Sequence, residues 1–171
     1  MKKLLLLGCL LVSSFVVFAA STIVTPADYT TVYASAGDGD ILLLDAGSYS
    51  TALDFPVGKT ITLKKLPSAA TMPVLTFGWT NTVLPIAGSS LILDSLEISL
   101  NADYYINFAA SSVVDKFIFR NCIIGNVNRC LVRATNAGIT INEISIENCI
   151  LKDCGASGWA FVFNRNPLNI L

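Results

Sequence analysis

Apolar and polar residues alternate in short runs along this chain, and the runs recur. Phe117-Ile118-Phe119-Arg120-Asn121-Cys122-Ile123-Ile124 returns 27 residues later as Ile144-Ser145-Ile146-Glu147-Asn148-Cys149-Ile150-Leu151. Leu91-Ile92-Leu93-Asp94-Ser95-Leu96-Glu97-Ile98 stands 26 residues before the first copy, and Ile61-Thr62-Leu63-Lys64-Lys65-Leu66 another 30 residues before that. A near-fixed period of this length marks a solenoid. The repeating unit is a strand, so the expected fold is all-β: a right-handed parallel β-helix of about five coils.

Alternation assigns the faces. Leu91, Phe117 and Ile144 form one inward column, and Leu93, Phe119 and Ile146 a second. Leu96, Cys122 and Cys149, then Ile98, Ile124 and Leu151, line the next wall. Asn121 and Asn148 mark the bend between the walls. Asn tolerates left-handed backbone, and its side-chain amide can bond the amide of the next coil. The residues just before the bend face outward. Read coil by coil they are Lys64, Asp94, Arg120 and Glu147, alternating in sign, with Asp45 extending the column downward. Opposite charges on coils about 4.8 Å apart support each other modestly. Ile118, Ile123 and Ile150 also face outward, as an apolar patch to be covered.

The remaining pattern fills in around these coils. Thr25-Pro26-Ala27-Asp28 reads as a helix start, with Thr25 as N-cap, and Tyr29, Val32, Tyr33 and Ala36 share one face up to Gly37. A short capping helix is what the open first coil of a solenoid requires. A strand followed by a Gly-containing turn is expected over Ile41 to Tyr49, and further strands at Leu53 to Phe55, Thr60 to Leu66, Val74 to Phe77, Val83 to Ile86, Tyr105 to Phe108, Cys130 to Arg133 and Ala160 to Phe163.

Residues 1–20 change the picture from fold to destination. Lys2 and Lys3 precede an apolar run from Leu4 to Phe18, and Val17-Phe18-Ala19-Ala20 offers small residues for cleavage, the layout of a signal peptide. The run is short for a bilayer span, so no stable membrane span is expected after cleavage. Leu6-Leu7-Gly8-Cys9 resembles a lipoprotein signal, but the apolar run continues past Cys9, and lipid anchoring is not our reading. The expected location is secreted, periplasmic or at a bacterial cell surface, with residues 21–171 forming the β-helix domain. Without Lys2 and Lys3, 9 basic residues face 12 acidic ones, which gives no footprint for nucleic acid. The sequence is 53% hydrophobic and has no His, which removes His-based acid–base and nucleophile chemistry and most zinc sites. Cys122, Cys130, Cys149 and Cys154 remain. The repeat puts Cys122 and Cys149 in one stacked column, which favours buried thiols over a bridge.

Residues 28–49 carry a resemblance. The helix, the Ala36-Gly37-Asp38-Gly39-Asp40 turn and the strand and turn from Ile41 to Tyr49 are similar to the start of a right-handed β-helix of the pectate-lyase-like superfamily. Chondroitinase-B-type and alginate-lyase-type polysaccharide lyases are the nearest in kind. Thr60-Ile61-Thr62-Leu63-Lys64 resembles their following strand. The Asn121-Cys122-Ile123 and Asn148-Cys149-Ile150 steps resemble the superfamily's stacked turn. The resemblance spans residues 25–165 and implies the fold. It leaves activity open, because lyases, hydrolases, epimerases and adhesins share that fold.

Lyases of this kind are implied to use a Lys base, an Arg and a calcium ion held by acidic and amide oxygens. No such cluster is legible here. Asp38, Asp40 and Asp45 are the densest acids, yet they fall in a turn. Lys116, Arg133 and Lys152 are isolated candidate cations, and Arg120 already belongs to the charge column. Tyr104, Tyr105, Trp79 and Trp159 are the candidate sugar-stacking aromatics. The expectation is therefore an exported module that binds or displays toward polysaccharide, with no catalytic residue, metal or cofactor. The alternatives are the N-terminal part of a polysaccharide lyase acting on uronate glycans, where calcium would enter, and an adhesin-like structural protein. The apolar stretch Pro167 to Leu171 lacks a cap, so further coils or a partner are expected at that end.

Overall fold

The structure, a computed structural model, describes residues 19–154, 161–163 and 168–170. Residues 1–18 of the segment expected to be a leader, and the candidate aromatic Trp159, lie outside the described residues.

Each coil carries a pair of strands. Strand β1 (Ser21–Val24) leads into helix α1 (Tyr29–Ser35). Next come β2 (Ile41–Leu44) with β3 (Ser48–Tyr49), then β4 (Thr60–Lys65) with β5 (Val74–Leu75). The long coils follow: β6 (Ser90–Asp94) with β7 (Glu97–Asn107), and β8 (Val113–Arg120) with β9 (Ile123–Ala134). The last described strands are β10 (Thr140–Glu147), β11 (Ile150–Cys154), β12 (Phe161–Phe163) and β13 (Leu168–Ile170). One sheet runs β1-β2-β4-β6-β8-β10-β13; the other runs β11-β9-β7-β5-β3, with β12 beside β9. All pairing among them is parallel, giving a β-solenoid of about four turns, fewer than the five anticipated.

The repeat sets the register. Ile61 pairs with Leu91, Leu91 with Phe117, and Phe117 with Ile144; Leu63, Leu93, Phe119 and Ile146 do the same two residues on. These columns are buried, except that Ile146 on the last coil is partly covered. Within β8 the Phe117 and Phe119 centroids are 4.5 Å apart, and Phe55 from an earlier coil lies 5.4 Å from Phe117. Leu151 occupies the Ile98–Ile124 column at the upper edge and stays 44% exposed.

The corners are columns of left-handed residues. Ser95, Asn121 and Asn148 have φ of 60°, 52° and 52° at the first bend. A second line, Asn101, Asn126 and Asp153 at 50°, 56° and 51°, kinks the long strands, and β7 shifts register there, between Ser99 and Ala102. The third bend is Gly88, Ser111 and Gly138 at 87°, 65° and 74°. A Cβ on Gly138 would stand 3.6 Å from Ser111 Cα, so these corners stack directly. Short polar side chains and Gly accept this conformation at least cost.

Several expectations need correction. The helix begins at Tyr29, because Asp28 Oδ1 accepts from both Thr25 N and Thr25 Oγ1 and closes Thr25–Asp28 into a turn. The phenols of Tyr29 and Tyr33 then tie the helix to the Thr51 and Asp54 carbonyls. Val83 to Ile86 is an exposed loop, Leu53 to Phe55 contributes one isolated bridge, and Tyr105 and Cys130 continue β7 and β9 without a break. Leu43, and not Asp45, stands beneath Lys64 in the outer column. Ile118 is buried although it is outside the core cluster; Lys116 and Arg120, two residues to either side of it on β8, pair with Glu143 and Glu147 of the next coil. Ile150 is 54% exposed.

Candidate functional site

The outer column of charges is built by the strand register. Lys64 Nζ lies 3.0 Å from Asp94 Oδ2, and Arg120 Nε donates to Glu147 Oε2 at 2.8 Å. Asp94 also accepts from Asn121 Nδ2 and Ser95 Oγ. Burial alone would raise the Asp94 pKa; the hydrogen bonds from Asn121, Lys64 and Ser95 outweigh it and hold the carboxyl below its ordinary range. Asn121 thus reaches a carboxylate one coil below, where an amide-to-amide step was expected. Its backbone N–H donates to the Glu147 carbonyl, so Asn121 is engaged on both sides. Asn148 is exposed at the equivalent bend.

The aromatic candidates separate by one residue of register. Trp79 and Tyr105 are in the core: Trp79 packs on Phe77 at 5.4 Å and Tyr33 at 5.7 Å, and Tyr105 packs on Phe119 at 6.0 Å. Neither can meet a sugar without opening the fold. Tyr104 is half-buried on the outside. Arg129 stands over its ring at 5.5 Å and Arg133 at 5.1 Å. Both come from β9, one coil above, because Tyr104 pairs with Cys130 between them. Asp103 lies 3.8 Å from Arg129, and both side chains of that pair are about half exposed, so it is weak and displaceable. The balance of this shelf is two guanidinium groups against one carboxylate. Burial pushes the Cys130 thiol up, and the two arginines pull it back only partly.

Sequence reasoning reached Tyr104 and Arg133 singly and missed Arg129. The signal was available in the 25-residue step from Tyr104 to Arg129, one coil. Two arginines four apart on a strand lie on one face when the strand is regular.

The other candidate cations are occupied or unpositioned. Lys116 pairs with Glu143 at 3.4 Å, and Lys152 is exposed on β11. A calcium ion of the kind the resemblance implies does not fit the turn acids. Asp40 accepts from Ala20 N and Gly37 N, which lower its pKa in that order, Asp38 from Thr60 N, and Asp45 from Ala46 N. Among the described residues, no group of three or more His, Cys, Asp or Glu is placed to hold a metal. Among the described residues Cys122, Cys130, Cys149 and Cys154 are free thiols; Cys122 and Cys130 are buried, and burial first of all pushes Cys122 up to about 12. No helix among the described residues is long and apolar enough to cross a membrane.

A family model described as a domain of unknown function (DUF4957) matches residues 47–170, which is most of the chain and all of the long coils. No curated protein and no solved structure matches the sequence.

Proposed function

We propose that this chain, which belongs to the DUF4957 family of domains, is an exported β-helix module that binds acidic polysaccharide and does not cleave it. The observation that carries the reading is the Tyr104 shelf. An amphipathic ring offers a face and edge to a pyranose, and two flanking guanidinium groups suit a carboxylate or sulfate. Export rests on the leader pattern of residues 1–20. The finer fold assignment, a right-handed β-helix of the pectate-lyase-like superfamily, is part of the same proposal. It is supported by the parallel coils and by the Asn-Cys-Ile corner steps.

The reading against catalysis rests on how the cations are used. A uronate lyase needs a base and a partner cation beside the sugar carboxylate. Lys64, Lys116 and Arg120 each already hold a carboxylate on the neighbouring coil.

Affinity electrophoresis of the purified chain through gels containing pectate, alginate or chondroitin tests the proposal. Retardation by at least one of them, lost in the Arg129→Gln/Arg133→Gln double variant, is the expected result. The same mixtures are followed in the ultraviolet, where lyase action forms an absorbing unsaturated sugar. A steady rise would make the protein an enzyme. No retardation on any glycan would leave the adhesin-like structural reading.

A further inference from the structure

The Tyr104 shelf is continuous with a polar column that runs down the solenoid. Arg133 pairs in register with Asn107. Trp79 pairs with Ile106, which sets Thr80 beside Asn107, and Asp54 pairs with Thr80. The neighbours of three of these residues are buried: Leu53 and Phe55 around Asp54, Ile106 and Phe108 around Asn107, Val132 and Ala134 around Arg133; Thr80 follows buried Trp79 and is itself exposed. Alternation therefore turns Asp54, Thr80, Asn107 and Arg133 to the same outer wall. Three coil steps of about 4.8 Å make a strip roughly 14 Å long.

We infer that this strip is one extended glycan site, with the acidic sugar held at Arg129 and Arg133 and neutral, hydroxyl-rich units laid over Asn107 and Thr80 toward Asp54. The inference rests on the glycan-binding reading above and adds the direction and charge pattern of the ligand. Charge along the strip is positive at the top, neutral in the middle and negative at the bottom. Asn107 Oδ1 has no hydrogen-bond partner in the protein, nor does Asn81 Oδ1 beside it, and Asn81 Nδ2 is spent on the Asn107 carbonyl. Both oxygens are buried; a half-turn of the Asn107 amide, exchanging O and N, aims its acceptor out of the wall toward a sugar hydroxyl. Asp54 accepts from Thr80 Oγ1 at 2.6 Å, from Thr82 N at 2.8 Å, and from Thr82 Oγ1. Burial would raise its pKa, but those three bonds outweigh it, so the carboxylate stays charged. A pyranose is comparable in length to one coil step, so a polymer acidic at every unit would bring a carboxylate onto Asp54. A glycan with one acidic sugar followed by neutral units avoids that repulsion and uses the free amide.

Fluorescence or calorimetric titration of the purified chain with three tetrasaccharides tests this: all neutral, neutral with one terminal glucuronate, and all uronate. The single-acid ligand should bind tightest. Asp54→Asn keeps an acceptor for Thr80 and Thr82, and it should improve the all-uronate ligand about threefold relative to the single-acid ligand. Arg129→Gln/Arg133→Gln should cost the single-acid ligand about tenfold or more. Equal binding of the two acidic ligands to the unsubstituted chain, or an unchanged ratio in Asp54→Asn, overturns the strip and leaves the arginine shelf standing. Acidic binding that ignores the arginine substitutions overturns the shelf itself.

Discussion

The corner at Asn121 permits a quantitative test of how the coils are turned. Asn121 has φ of 52°, and its Nδ2 donates to Asp94 Oδ1 at 3.0 Å. Replacing it with Ala removes the hydrogen bond and forces an ordinary L-residue into left-handed backbone, which costs about 1–2 kcal/mol. Replacing it with Gly removes the same hydrogen bond and relieves the strain. Gly also enlarges the unfolded ensemble, which costs about 0.4–1 kcal/mol. The two variants share the lost bond, so their difference isolates the backbone: Asn121→Gly should be more stable than Asn121→Ala by about 1 kcal/mol. Urea denaturation midpoints with unchanged slopes give this difference directly. The same pair at the exposed turn residue Asn136, which is not among the positive-φ residues, should reverse the order, because there Gly brings only flexibility. If Ala equals or exceeds Gly at Asn121, the left-handed corner is wrong.

Three further outcomes follow from the packing and the charges. Phe119→Ala should cost about 3–5 kcal/mol, because the ring is wholly buried between Leu93 and Ile146 and against Phe117; a denaturation loss under about 1 kcal/mol would contradict that column. Asp54 and Asp94 have pKa values held below their unfolded values, so their contribution is fully present above the ordinary carboxylate range. It should be lost as pH falls through their lowered pKa values; urea midpoints that hold constant into strong acid would contradict this. Cys122, with its thiol pushed up to about 12 by burial, should resist iodoacetamide in the native protein and react on unfolding, as mass spectrometry of the labelled peptides would show.

The first bend was legible in the sequence because hydrophobic register and turn residue repeat together there: Phe119-Arg120-Asn121-Cys122 and Ile146-Glu147-Asn148-Cys149 leave one way to stack. The other corners were hidden because their columns mix residue types, Asn with Asp and Gly with Ser, and only their backbone is alike. Val83 to Ile86 misled because an apolar run reads as a strand wherever it sits, and nothing local says that it meets the next coil through a single backbone bond, Val113 N to the Pro85 carbonyl, without forming a strand. Tyr104 and Tyr105 show the limit most sharply. One residue of register separates a core ring from a surface one, and a kink at Asn101 resets the alternation before the sequence can choose between them. Arg129 was missed for a related reason: its partner is a coil away, and the strand expected at Cys130 to Arg133 begins one residue past it, whereas β9 includes it.

The surface of the molecule that an acidic glycan touches is the most direct test. Amide and side-chain NMR shifts of the labelled chain, titrated with an oligosaccharide bearing one glucuronate, read that directly. The largest and saturable changes should fall at Tyr104, Arg129 and Arg133, with smaller ones at Asn107 and Thr80. Changes centred on the Lys64–Asp94–Arg120–Glu147 column, or none at saturating ligand, would contradict the binding face.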